Sequence, residues 1–150
     1  MIVFRPTSAL PRTLLARDLE VLATTLSKRL RQKRVQSVGV RFVSLNVIQA
    51  LNRQYRGKNR PTDVLSFEAS PLPASSVGRG EEQELGDLVI CAAYAQHEAR
   101  RRKLEPREEY MRLLAHGVLH LSGFDHATED EELEMFRIQE ACVDETLAQV

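Results

Sequence analysis

The stretch HGVLHLSGFDH, residues 116–126, holds three of the chain's four histidines. His116 and His120 are four residues apart, so on a helix they share one face, and two imidazoles one turn apart can grip the same ion. Gly123 can stop such a helix by taking a left-handed conformation. The chain can then turn back and present His126 as a third ligand. Three neutral imidazoles suit Zn²⁺, at roughly 2.0–2.1 Å per Zn–N bond, and leave a fourth position for water. An open position marks a catalytic site more than a structural one. A purely structural zinc is further disfavoured because no cysteine ligand lies nearby. The expectation is one Zn²⁺ on His116, His120 and His126, although nickel or another ion suits the same imidazoles. His97 reads as an ordinary histidine.

The spacing His-x₃-His-x₅-His, with glycine three places after the second histidine, resembles that of the metzincin proteases. Those enzymes place a glutamate directly after the first histidine as general base. Here that position is Gly117, which has no side chain. The ligand cage is present and the protease base is absent, which disfavours peptide hydrolysis and moves the search for catalytic help to other parts of the chain.

The elements that must position these residues are legible from periodicity. Leu15, Leu19, Leu22, Leu26 and Leu30 repeat in steps of four and three, predicting an amphipathic helix from about Pro11 to Arg34. Val38, Val40 and Phe42 alternate with Gly39 and Arg41 as in a strand. Ser44 suits the cap of a second helix, ending near Gly57, with Leu45, Ile48, Leu51 and Tyr55 on its apolar face. Val64 to Phe67 reads as a short strand, Pro71 to Gly80 as a loop rich in Pro, Ser and Gly, and Leu85 to Cys91 as another strand. Ala92 to Lys103 is helical in character. Pro106 opens the next helix, whose Met111, Leu114, Val118 and Leu121 face a core, with His116 and His120 on a neighbouring stripe. A last helix from Thr128 to about Ala148 is expected to bury Leu133, Phe136, Ile138 and Val143 in part. The predicted order is helix, strand, helix, strand, strand, helix, helix, helix. The expected class is α+β: one domain over residues 1–150, a small mixed sheet of about four strands packed with about five helices, the metal site on a helix-turn.

A chain of 150 residues with 43% hydrophobic and 28% charged residues matches a globular domain large enough to bury its own core. Cys91 and Cys142 lie in separate segments, so no disulfide framework is indicated and both thiols are expected to be buried. Arg5, Pro6 and Pro11 interrupt the apolar residues at the start, unlike a signal peptide, and no stretch reaches the ~20 apolar residues of a membrane span. A cytoplasmic location without membrane association is expected. Net charge is zero, but its distribution is uneven. Basic groups occur at Lys28–Arg34, at Arg53, Arg56, Lys58 and Arg60, and at Arg100–Lys103, while Glu129–Glu134 is acidic. Such asymmetry can mark a face for a polyanion, although any single run also suits a solvated helix face.

HGVLHLSGFDH resembles the signature of the YbeY family, metal-dependent bacterial endoribonucleases that mature ribosomal RNA. The family pattern is close to H-G-x-L-H-L-x-G-[YF]-D-H, and Phe124 stands where tyrosine is frequent. Leu51-Asn52, Tyr55-Arg56-Gly57-Lys58 and Pro61 to Phe67 resemble a second block of the family, and Gly86 to Ile90 a third. The resemblance spans about Leu51 to His126. It implies a mixed sheet with helices packed on it and zinc on the three histidines. It also implies cleavage of single-stranded RNA, with roles in 16S rRNA 3′-end maturation, ribosome biogenesis and ribosome quality control. Small-subunit ribosomal proteins and an assembly GTPase are the protein partners it suggests. Arg56 corresponds to an arginine the family treats as functionally important.

On this reading, Arg56 and the metal-binding His116 are the candidate catalytic residues. Zinc lowers the pKa of a bound water toward ~7 and polarises a phosphoryl oxygen. The guanidinium of Arg56 suits a phosphate and the charge that builds in the transition state, or a salt bridge. Asp125 suits either a carboxylate orienting a histidine or a cap for the next helix. Asp63 and Asp87 fall in the matched blocks only by resemblance, and each suits a turn or strand end as well as it suits a site residue. No side chain is an obvious general base. RNA affinity is expected mainly from Lys and Arg contacts to phosphates, with the 53–60 group first, and therefore to weaken with salt. Aromatics are 5% of residues, too few for stacking to dominate. The competing readings are a ribosome-assembly RNA-binding factor with structural zinc and a metal hydrolase of another substrate.

Overall fold

The computed structural model describes residues 1–31, 33–69, 82–124 and 127–150. In chain order the elements are β1 (Ile2–Pro6), α1 (Ala16–Leu30), β2 (Gln36–Val43), α2 (Leu45–Arg56), β3 (Val64–Glu68), β4 (Gln83–Cys91), α3 (Ala92–Arg101), α4 (Pro106–Leu121) and α5 (Glu129–Gln149). The strands form one mixed sheet in the order β1-β2-β4-β3. β1 and β4 run parallel to β2, and β3 pairs antiparallel with β4. The α+β class, with four strands and five helices, follows the sequence reading. The loop expected at 71–80 lies outside the described residues.

The sheet's faces are set by two-residue alternation. Ile2, Phe4, Val38, Val40, Leu88 and Ile90 turn to one side and join Leu22 and Leu26 of α1 and Met111, Leu114 and Val118 of α4 in the main core. Ile48 of α2 covers Leu65 and Cys91 on the other side, in a smaller cluster that includes Phe67 and Tyr94. Both cysteines are buried free thiols, and burial pushes Cys142 up to about 11. No helix among the described residues is long and apolar enough to cross a membrane.

Three sequence expectations need correction. β1 was absent from the predicted order because Arg5 and Pro6 hide a five-residue strand. It survives as an edge strand, where proline is tolerated, and its Ile2 N–H donates to Ser27 Oγ of α1 at 2.7 Å. α1 starts at Ala16 rather than Pro11, because Leu14 N–H closes a turn on Pro11 O and Leu15 serves as the cap. In α5, Leu133 and Phe136 are 52% and 55% exposed, whereas Met135, Gln139, Cys142, Val143 and Thr146 are buried. The inward stripe of α5 therefore carries two polar residues, which an apolar periodicity count passes over.

The starts of α1 and α4 are fastened together by Asp18, which is 1% exposed. Its Oδ2 accepts from Leu15 N–H at 2.9 Å and from Arg107 Nε at 2.9 Å. Burial pushes the Asp18 carboxyl up, but Arg107 and Leu15 outweigh it and hold the group below its ordinary value. The stability it contributes is therefore complete above about pH 4 and lost as pH falls through the lower folded-state value. Arg107→Ala should cost about 2 kcal/mol at neutral pH by leaving a buried carboxylate without its cation. Urea denaturation should show that difference shrinking below about pH 4; a difference independent of pH would contradict the assignment.

Candidate active site

α4 opens with Pro106 at its first turn, where a missing N–H costs nothing. It stops at Leu121, with Ser122 as cap and Gly123 following at φ +97°. Ten of its sixteen residues are buried, so it lies deep against the sheet. Gly117 makes that depth possible. A Cβ there would stand 2.4 Å from Leu88 Cδ2 and 2.8 Å from Cδ1. The position that carries a base in metzincins is thus the contact between helix and β4, where no side chain fits. His116 and His120, on the adjoining stripe, are half-buried beside β3.

Arg56 reaches the same place from the end of α2. Ser44 caps the start of α2, accepting from Val47 N–H, and Gly57 closes its end. From within α2, the buried Asn52 donates to Arg60 O at 2.8 Å, fixing the turn toward β3. Arg56 lies along the sheet edge. Its Nη2 donates to Ser66 O at 2.6 Å, and its guanidinium carbon sits 5.3 Å from the Phe67 ring centre. Tyr55 meets the same ring edge-on at 5.2 Å. Arg56, Ser66, His116, Gly117 and His120 line one cavity of about 190 Å³. Residues 60 positions apart in sequence thus share a wall-to-wall site.

Behind His116 runs a polar relay that sequence reasoning missed. His116 Nδ1 lies 3.0 Å from Gln139 Oε1, and Gln139 Nε2 donates to Glu140 Oε2 at 3.1 Å. Arg112 clasps Glu140 through Nε, at 3.1 and 2.9 Å, and Nη2, at 2.9 Å. Burial pushes the Glu140 carboxyl up, but hydrogen bonds from Arg112 and Gln139 prevail and hold it below its ordinary value. Burial likewise opposes the charge on Arg112, and Glu140, Glu109 and Glu108 raise its pKa despite that. A glutamine 23 residues from a histidine carries no motif that could have flagged it.

Other expected residues fall elsewhere. Asp63 immediately precedes β3, its Oδ1 accepting from Val64 N–H at 2.7 Å, a turn role. Asp87 lies on the opposite sheet face, its carboxylate over Gly39. The cap of α5 is Thr128. Asp125 and His126 lie outside the described residues, so of the three expected ligands the described structure places two, His116 and His120. Imidazole pairs one turn apart fit a borderline ion such as zinc. Among the described residues Arg53, Arg56, Lys58 and Arg60 have no carboxylate within ion-pair reach, whereas Arg101 and Arg102 pair with Glu98 and Glu109.

The fold and the cavity define an α+β domain whose histidine helix faces an arginine across a sheet edge. The family model of Endoribonuclease YbeY matches residues 8–146. A relative in Acinetobacter baumannii, named Endoribonuclease YbeY, is 40% identical over 115 residues, 77% of this chain and 72% of that one. Another of that name in Lactobacillus gasseri is 34% identical over 124 residues, 79% of this chain and 71% of that one. The solution structure of a Thermotoga maritima protein superposes with a TM-score of 0.64 at 30% identity, covering 99% of this chain and 91% of that one. The chain belongs to the endoribonuclease YbeY family.

The packing at Gly117 can be tested directly. Gly117→Glu, which restores the metzincin base on paper, should instead lose about 3 kcal/mol or more by overpacking Leu88 and burying a charge. Chemical denaturation reads this, and wild-type stability in the variant would refute the contact.

Proposed function

We propose that this protein is a zinc-dependent endoribonuclease that cleaves single-stranded RNA during 16S rRNA 3′-end maturation, with roles in ribosome biogenesis and ribosome quality control. The observation that carries this reading is the shared cavity, with the cation of Arg56 on one wall and His116 and His120 on the other. The family's name supports RNA as the substrate. His116, His120 and His126 are the residues that would hold zinc, which when bound supplies a Lewis acid for a phosphoryl oxygen and a water of lowered pKa.

The chain's own residues do the rest. Arg56 presents a planar fork of donors that suits non-bridging phosphate oxygens and the charge that accumulates on them. Its contacts to Ser66 O and the Phe67 ring hold that fork at the cavity rather than in bulk solvent. Arg53, Lys58 and Arg60, uncommitted to carboxylates among the described residues, extend the positive surface along the approach to Arg56. They bind backbone phosphates without reading sequence, so choice of cleavage position falls to the ribosomal context. The described side chains that line the cavity contribute a cation from Arg56 and imidazoles from His116 and His120. The reading places the protein in the cytoplasm, with small-subunit ribosomal proteins and an assembly GTPase as partners.

Cleavage of a labelled single-stranded RNA tests the proposal, with His116→Ala as the control for contaminating nuclease. Wild-type cleavage should stop on chelation and return with zinc. Arg56→Ala should slow the chemical step about 100-fold with unchanged melting, because the side chain is exposed. Wild-type rates in Arg56→Ala, or cleavage indifferent to chelation, would overturn it.

A further inference from the structure

We infer that Gln139 is a positioning residue that selects the tautomer of His116, placing the proton on Nδ1 and the lone pair on Nε2, and that Glu140 and Arg112 lock Gln139 in that orientation. The inference rests on the reading of His116 as a metal ligand.

The two ends of a glutamine amide have nearly the same shape and opposite roles, one donating and one accepting. Gln139 is 7% exposed, so neither end can be left to water. One end meets Glu140 Oε2 at 3.1 Å. An ionised carboxylate only accepts, and the clasp from Arg112 keeps Glu140 ionised. The amino end of Gln139 must therefore face Glu140, which leaves its carbonyl toward His116 Nδ1 at 3.0 Å. A carbonyl also only accepts, so Nδ1 must bear the hydrogen. A neutral imidazole carries one such hydrogen, and Nε2 is then the ring's only possible ligand atom.

The geometry closes on itself. Arg112 and His116 stand one turn apart on α4, and Gln139 and Glu140 are neighbours on α5. Arg112 is steadied further by Glu109 at 3.3 Å. Turning the amide over would oppose two donors at His116 and two acceptors at Glu140 in one step. A neutral glutamine also serves better than a carboxylate in one respect, since it adds no second negative charge beside Glu140. Histidine ligands commonly donate their other N–H to an acceptor that fixes ring and tautomer, and losing such an acceptor typically weakens metal binding roughly 10- to 100-fold.

The test uses the full chain. Nitrogen NMR of histidine-labelled, metal-free protein should show His116 protonated on Nδ1. Gln139→Met, which keeps length but not the acceptor, should release that preference and weaken Zn²⁺ binding roughly 10- to 100-fold in competition with a chromophoric chelator. Gln139→Glu, which restores an acceptor for Nδ1 but sets a second negative charge beside Glu140, should return the tautomer preference toward wild type while lowering the melting temperature. His116 protonated on Nε2 in the wild type, or wild-type zinc affinity in a folded Gln139→Met, would overturn the inference. If the tautomer is as assigned but no zinc binds, the metal reading fails and the role of Gln139 in setting the tautomer stands.

Discussion

The architecture of the site depends on how closely α4 lies on β4. A helix carrying side chains on every inward position rides at a distance set by those side chains. At Gly117 there is none, and Leu88 occupies the place a Cβ would need. The helix therefore settles against the sheet at the turn that carries His116 and His120. Because β3 is the outer neighbour of β4, that descent brings both imidazoles level with Val64, Leu65 and Ser66. The same edge holds Arg56, through Ser66 O and Phe67. One missing side chain thus converts a core contact into a shared cavity.

Close packing sets the depth of the helix, and α5 adds a polar contact to the His116 ring. Its inward stripe includes Gln139 beside the apolar Met135, Cys142 and Val143. The polar group is satisfied on both ends, as a buried amide must be to avoid a net cost. The result is a site with two kinds of support: an apolar contact at Gly117 that sets depth and a charged relay behind His116. The relay draws its charge from Arg112 and Glu140, both held in their ionised forms against the penalty of burial.

Much of this was legible in the sequence, and for physical reasons. The inward stripe of α4 and the histidine stripe beside it follow from helical periodicity alone, and Gly123 from the need to end the helix. The class of fold followed from the alternation of strand and helix patterns. Arg56 was legible only through family resemblance, because its proximity to His116 arises from the placement of β3 outside β4, which no local pattern encodes. β1 was hidden by its brevity, with two of its five residues being Arg5 and Pro6. In α5 Ile138 and Val143 turn inward as their hydrophobicity suggests, but Leu133 and Phe136 face outward, because packing chose a stripe that also contains Gln139 and Thr146. The glycine after His116 was read as a missing catalytic group; its packing role required the distance to Leu88.

The central claim is that Arg56, His116 and His120 serve one reaction centre. The most direct measurement is anomalous scattering at the zinc edge from crystals grown with Zn²⁺ and a non-cleavable single-stranded RNA. The account predicts zinc held by His116 and His120 in the α4–β3 cavity, with an RNA phosphate contacted by Arg56. Zinc bound at other residues, or RNA bound with its phosphates remote from Arg56, would contradict it.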